Sequence, residues 1–311
     1  MEIKEIKGCV NYDTALLHMF EEEGMMEQRY YELADFKLKI ETPCAIKVTD
    51  ESREFCREAN DEVVEQVVFE AVGHLPNMPA QGVWHSDRYY AMINGNDVMY
   101  VRAFPYEAPY AVVQYAISGK IRCQYLKDVR TMVWDTQYLL NMIGIEKILM
   151  RQQALILHAS FIKWGEKGIL FSAPSGTGKS TQADLWQKYL GAEIINGDRA
   201  GIRKKDGVWR AYGLPYAGSS KIYRNESALL SAIVVLEQAE ENSICPLGHT
   251  EAVVRLLPEF SLHRWDATFM NQAMDLITEI VENVPVYLLK CRPDKRAVEI
   301  LIETIEKEEM K

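Results

Sequence analysis

The segment Ser172-Ala173-Pro174-Ser175-Gly176-Thr177-Gly178-Lys179-Ser180-Thr181 carries the densest chemistry in this 311-residue chain. It lies between the apolar run Ile169–Phe171, which reads as a strand, and Thr181–Leu190, which reads as a helix closed by Gly191. A strand, a glycine-rich turn and a helix are the context that a phosphate-binding loop of the Walker A kind requires. Gly176 and Gly178 let the backbone curl so that successive N–H groups point inward at phosphate oxygens. The helix that follows adds the positive end of its dipole. Lys179 then reaches the β- and γ-phosphates, and the Ser180 hydroxyl can coordinate Mg²⁺. Ser175, Thr177 and Thr181 complete the cradle. The strict pattern asks for glycine five residues before Gly178, where this chain has Ala173. The alternative is a Gly/Ser-rich turn with an incidental lysine.

Other side chains could serve such a loop. The strand Glu193–Asn196 runs directly into Gly197-Asp198-Arg199. It would deliver Asp198 to the carboxyl end of a sheet, where ligands bind. Asp198 could hold Mg²⁺, accept a proton from an attacking hydroxyl, or do both; as a plain turn residue it would do neither. His158 sits in an apolar strand, either as a satisfied core histidine or as a partner for phosphate oxygen or Asp198. Gly213–Ser220 is a Gly/Pro/Ser loop, with Lys221 and Arg224 directly after it. Two cations there could shield a transferred phosphoryl group or recognise an acidic substrate, and the other reading is a solvated surface loop. Arg203, Lys204 and Lys205 flank a turn and read as a solvated face. Cys245 and His249 read as structural. Met25–Tyr31 and Trp84–Tyr90 read as core, interface or a peptide-docking groove.

Composition narrows the function classes. The net charge is −10, with 35 Lys and Arg against 45 Asp and Glu. That balance opposes nonspecific nucleic-acid binding, which needs a positive field. No apolar run approaches the length of a membrane span, and Met1–Lys7 is charged with no apolar block behind it, so no signal peptide is expected. Six cysteines are scattered without any Cys-x-x-Cys pair; they read as buried thiols in a reducing cytoplasm.

The length favours two domains. Residues 1–140 read as an N-terminal α+β domain rich in antiparallel strands. Within it, Asp35–Ile46 and Val63–Val72 are short elements, and Tyr89–Ile93 and Val98–Phe104 flank the hairpin signal Asn94-Gly95. Ala111–Ile117 and Ile121–Leu126 flank a second turn at Ser118-Gly119-Lys120. Thr136–Met150 has helical periodicity and reads as one amphipathic helix, with Gly144 against it. Residues 141–311 then alternate strands (Ala154–Ile162, Ile169–Phe171, Glu193–Asn196, Ala200–Arg203, Trp209–Tyr212, Ala232–Leu236, Val286–Leu289) with helices at Thr181–Leu190, Glu251–Leu257, Thr268–Val281 and Asp294–Lys307. The class is α/β.

The run Ser175–Ser180, a helix, and a strand ending in Gly197-Asp198 resemble the C-terminal domain of HPr kinase/phosphorylase, whose nucleotide-binding arrangement phosphoenolpyruvate carboxykinase shares. Leu157-His158-Ala159-Ser160, Asn196-Gly197-Asp198-Arg199 and Tyr212–Gly218 carry the likeness further, towards HPr-kinase-related proteins such as lasso-peptide precursor kinases. The resemblance covers about 156–301. It implies a P-loop core with a mixed sheet, ATP and Mg²⁺ as cofactors, and transfer of the γ-phosphoryl group to a serine-type hydroxyl on a peptide, small protein or metabolite. It gives Lys179 and Ser180 the phosphate and metal roles, and His158 a place near the transferred phosphoryl. Asp198 matches the second of two adjacent acids and would serve as base and metal ligand. Arg199, Gly218, Lys221 and Arg224 become acceptor-side candidates. The first acid of the pair, the catalytic carboxylate in the HPr kinases, is Gly197 here: either Asp198 does double duty, or the base comes from elsewhere, or the protein is a nucleotide-gated binding protein without efficient turnover. A carboxykinase-like decarboxylase is the other alternative. A homo-oligomer is also implied by the likeness, while the charge and the short apolar runs lead to no expectation of a nucleic-acid or membrane partner.

Overall fold

Two-residue turns close three hairpins of the first sheet, at Ala34-Asp35, Ser86-Asp87 and Asn94-Gly95. The computed structural model describes residues 26–59, 62–103, 108–116, 120–127, 135–216, 218 and 220–309. Strands β1 (Glu27–Leu33) and β2 (Phe36–Thr42) pair antiparallel around Ala34 and Asp35, both at positive φ. β3 (Cys56–Arg57) lies against β1, and β4 (Glu65–Val72) runs parallel to β2. β5 (Gly82–His85), β6 (Arg88–Ile93), β7 (Asn96–Arg102), β8 (Pro109–Tyr115) and β9 (Lys120–Leu126) form an antiparallel meander. β9 returns parallel to β4, giving the order β3-β1-β2-β4-β9-β8-β7-β6-β5. The Asn94-Gly95 hairpin is found where the sequence places it. Phe104 and the turn residues Ser118 and Gly119 lie outside the described residues, as do Met25 and Met1–Lys7. The aromatic run Trp84–Tyr90 divides: Trp84 is exposed at the sheet edge, whereas Tyr89 and Tyr90 are buried.

The helix expected over Thr136–Met150 is two helices, α2 (Thr136–Met142) and α3 (Ile145–Arg151), after a four-residue α1 (Asp50–Arg53). Gly144 breaks it, at φ +60. A Cβ there would stand 2.8 Å from the Tyr115 hydroxyl, which donates to Ile143 O. The apolar stripe continues across the break, so periodicity alone reads one helix.

The second sheet contains β10 (Ala154–Trp164), β11 (Lys167–Ser172), β12 (Glu193–Asn196), β13 (Arg199–Lys205), β14 (Val208–Gly213), β15 (Ser227–Gln238), β16 (Ser243–Pro246) and β17 (Val286–Cys291). β11 pairs with β10 on one side and, in parallel, with β15 on the other. β10, β13, β14 and β15 pair antiparallel in turn, so five strands close into a ring. β17 extends it in parallel from β15, and β16 follows. β12 lies against β10. Helix α4 (Lys179–Leu190) follows β11, and the chain continues through α5 (His249–Leu256), a 3₁₀ turn at Leu257–Glu259, α6 (Ala267–Asn283) and α7 (Lys295–Glu309). One core cluster packs α5 and α6 against Leu157, Phe161 and Leu230. Another seats α4 and α7 on Phe171, Val234 and Leu289, with Trp186 fully buried.

The two sheets share a core. A single cluster runs from Tyr31, Phe36 and Val113 through Leu139 and Ile148 to Ile156, Tyr212 and Tyr216. Arg203, expected on a solvated face, donates to Gln152 O at 3.0 Å and to Ala34 O at 2.8 Å instead. Lys205 and Tyr212 both bond Asp35 at 2.9 Å. Arg203 and Lys205 look solvated in sequence because their partners are distant along the chain: Gln152 lies 51 residues from Arg203, Ala34 169, and Asp35 170 from Lys205. No helix among the described residues is long and apolar enough to cross a membrane.

Candidate active site

Strand register assembles the site. Eight of the nine residues Ala154–Ile162 are buried, and His158 alone is partly exposed. Antiparallel pairing sets His158 opposite Arg199, and Ala159 N donates to Asp198 O at 3.0 Å. That register brings Asp198 beside the imidazole, with Nε2 3.5 Å from its Oδ1. On the other side of the ring, Nδ1 lies 3.0 Å from Glu259 Oε2. Glu259 arrives because Phe260 bridges to Leu157 and Ser261 N donates to Ile156 O at 2.9 Å. His158 is therefore held between two carboxylates.

Asn196 locks the turn that carries Asp198. Its carboxamide is fully buried and uses both ends. Oδ1 accepts from Asp198 N at 2.8 Å and Arg199 N at 2.9 Å, while Nδ2 donates to Leu214 O at 2.8 Å and Tyr216 O at 2.9 Å. A buried amide with four partners is rigid, because each bond removed leaves an unsatisfied group. The loop after β14 is thereby tied to the Asp198 turn. Gly218 passes so close that a Cβ would stand 2.7 Å from that of Asp198. The Arg199 guanidinium lies 5.3 Å from the Tyr216 ring centroid, with Nε 3.6 Å from Asp198 Oδ2.

The glycine-rich loop leaves β11 and enters α4, with Gly176 at φ +82 and Gly178 at φ +118. Left-handed backbone of this kind is open to glycine at little cost. Ser175, Gly176, Ser180 and Thr181 are exposed, and Thr177 and Gly178 partly so. Lys179 is buried, and its ammonium donates to Ala173 O at 2.7 Å and Pro174 O at 3.4 Å. Among the described residues it makes no ion pair. Burial pulls its pKa below the ordinary lysine value, against the field of Glu259 and Asp198. The His158 hydrogen bond, helped by Arg199 and Lys179, holds the Asp198 carboxyl below its usual range despite partial burial.

A cleft of about 570 Å³ opens beside this cluster. Pro174–Thr177 form one wall, Val235–Gln238 at the end of β15 another, and Val254, Arg255, Pro258 and Glu259 the third. Its position at the carboxyl ends of parallel strands is where open α/β sheets take ligands, and its size suits a small molecule.

The structure thus brings together His158, Lys179, Asp198, Arg199 and Gly218 around the loop. It does not bring Arg224, whose guanidinium pairs with Glu193 at 2.8 Å and Glu226 at 3.8 Å. Lys221 is exposed at φ +52 and joins none of the bonds of the cluster. Gly197 is closely packed: a Cβ there would meet Ser220 Oγ at 2.0 Å and its Cβ at 2.6 Å. Sequence reasoning missed Glu259 and Asn196. The only signal for Asn196 was its place beside Gly197-Asp198, and Glu259 has none, being 101 residues from His158.

Two mixed sheets, the second with helices on both faces, and a glycine-rich loop beside a Lys/Asp/His/Glu cluster define a mixed α/β protein with a built polar site. The family model for SynChlorMet cassette protein ScmC matches residues 123–306, more than half of the chain, and the chain belongs to that family. It is a different family from the HPr kinases that the motifs resemble. Among solved structures, the Hpr(Ser) kinase/phosphatase from Coxiella burnetii is similar over 50% of this chain and 90% of that one, at 13% identity and a TM-score of 0.30. No curated protein matches the chain.

Proposed function

We propose that the protein is an ATP-dependent phosphotransferase that passes the γ-phosphoryl group to a hydroxyl on a peptide, a small protein or a metabolite. The observation that carries this reading is Lys179: a buried ammonium, without an ion pair among the described residues, at the first turn of a helix that follows a glycine-rich loop. Burying a charge without a counter-ion is costly, and a phosphate tail bound in the loop would supply one. Phosphoryl transfer asks a protein mainly for positioning and electrostatic stabilisation. Lys179 would hold the β- and γ-phosphates, and Arg199 would stand ready to meet developing charge beside Asp198.

Mg²⁺ fits the donors present. Asp198 and Ser180 offer hard oxygen atoms. Among the described residues no group of three or more His, Cys, Asp or Glu could hold a metal alone, which suits an ion that takes its other ligands from phosphates and water. When bound it would neutralise charge on the phosphate tail.

Incubation with γ-labelled ATP and candidate acceptors tests the reading. Label is expected on a hydroxyl, and Asp198→Asn is expected to keep nucleotide affinity within a few-fold while losing transfer. Normal turnover by that variant would remove Asp198 from the chemistry. A second reading, a nucleotide-gated binding protein, draws support from Gly197, where packing against Ser220 leaves no room for a second adjacent acid. Binding without label transfer would favour it.

A further inference from the structure

A phosphotransferase with one acid at the Asp198 turn needs another group to take the proton of the attacking hydroxyl. We propose that Glu259 is that proton acceptor, in a deepening of the phosphotransfer reading on which it rests.

Glu259 stands where the cleft meets the cluster. It lines the cleft together with Pro174–Thr177, so the residue borders the same space as the glycine-rich loop. Its place is fixed from both sides: Pro258 sits within the 3₁₀ turn, and Phe260 is buried in its bridge to Leu157. With Phe260 turned into the core, the neighbouring Glu259 side chain points the other way, onto His158.

The bonding is uneven in a useful way. Both oxygens of Asp198 face cations or the imidazole, with Oδ1 towards His158 and Oδ2 towards Arg199. Glu259 engages His158 through Oε2 only, and among the described residues no lysine or arginine pairs with it. A mostly buried carboxylate on the cleft lining therefore has one oxygen that no lysine or arginine among the described residues pairs with. Position 197 cannot supply the acid instead, because Ser220 occupies the volume any side chain there would need.

The step balances. The acceptor oxygen forms a bond to the γ-phosphorus while the bond from that phosphorus to the β–γ bridging oxygen breaks. The electron pair leaves on the nucleoside diphosphate, and the hydroxyl proton passes to Glu259. His158, bonded to Oε2, keeps the carboxylate aimed. The apolar cleft walls, Val235, Leu236, Val254 and Pro258, suit a small alcohol or a seryl side chain on an extended segment.

The test uses the full chain, MgATP as the probe and water as the acceptor, with phosphate release followed at saturating nucleotide. Positioned general bases contribute about 10²–10⁴-fold. Glu259→Gln, which keeps an acceptor for the His158 N–H, is therefore expected to slow release about 100-fold or more while leaving MgATP affinity almost unchanged. Glu259→Asp is expected to fall between the two. Turnover by Glu259→Gln close to that of the wild type would overturn the assignment. So would a loss of MgATP affinity as large as the loss of rate, which would make Glu259 a structural prop. Wild-type protein that binds MgATP but releases no phosphate would also overturn it, and one that does not bind MgATP would overturn the reading beneath it.

Discussion

Two lysines, Lys147 and Lys179, are equally buried, each 8% exposed, and their surroundings differ in kind. Lys147, on α3, donates to Asp97 of β7 at 2.7 Å and to Asp266, the N-cap of α6, at 2.8 Å. Two carboxylates neutralise one ammonium, and the pairs tie the first sheet, the linking helix and the second half together. Lys179 instead rests on two backbone carbonyls, with Asp198 and Glu259 acting on it only at longer range. One lysine completes a structure; the other leaves a charge to be met. On the proposed reading, the contrast is between a structural buried ion and one that a ligand would complete.

The largest effect should come from breaking the completed pair. Lys147→Met leaves two carboxylates facing an apolar contact, and removing one partner of a buried pair typically costs 3–5 kcal/mol. With Asp97 partly exposed, a loss of about 3 kcal/mol is expected, seen as a fall in Tm of about 5 °C. Lys179→Met should behave in the opposite sense. Burial lowers the Lys179 pKa, so at neutral pH the folded state carries the full cost of the ammonium, a cost relieved only as pH rises through that lowered value. The variant should therefore unfold no earlier than the wild type in the absence of ligand. Its loss appears with MgATP: nucleotide at a hundred times its Kd should stabilise the wild type by about 2.7 kcal/mol, or about 4 °C, and the variant hardly at all. Equal Tm shifts in the two proteins would abolish the contrast.

The same contrast explains what the sequence made legible. Elements whose cause is local were readable: the Asn94-Gly95 hairpin, the apolar strands Ala154–Ile162 and Ala232–Leu236, and the helix closed by Gly191. The loop and Lys179 were readable because spacing along one short segment defines them. Lys147 was not, since Asp97 and Asp266 lie 50 and 119 residues away. Glu259 was hidden for the same reason, as was the closed ring, which depends on β11 pairing with β15 across some 60 residues. The short edge strands β3, β5 and β16 lack the apolar alternation that marks a strand. Arg224 was misplaced because nearness in sequence stood in for nearness in space, and Glu193 holds it elsewhere.

Gly197 offers a way to sharpen the comparison at the site itself. If the missing acid were a simple substitution, Gly197→Asp would restore it. The structure predicts otherwise. The Cβ of any residue there collides with Ser220, including its Cβ, so backbone must move at the Asp198 turn, at the 1–3 kcal/mol typical of overpacking. Gly197→Asp should lower Tm by about 2–4 °C and not raise phosphate release. Gly197→Asp with Ser220→Gly should recover most of the lost stability. A single variant as stable as the wild type would show that Ser220 yields freely.

The smallest effect is the pH dependence of Asp198, and its sign follows from its partners. The folded-state pKa is lowered by His158, Arg199 and Lys179, so the folded protein binds fewer protons than the unfolded chain in the window between the lowered value and the usual aspartate range. Stability from this group is complete above that range and is lost as pH falls through the lowered value. The wild type should then be slightly more stable than Asp198→Asn near pH 6, and the gap should close in acid. The Asp198 and His158 side chains are 30% and 31% exposed, which screens the interaction, so about 1 °C in Tm is the expected scale. A gap that widens towards acid would mean that Asp198 is disfavoured as a carboxylate in the free protein. It would then stand with Lys179, as a charge awaiting its ligand, rather than with Lys147.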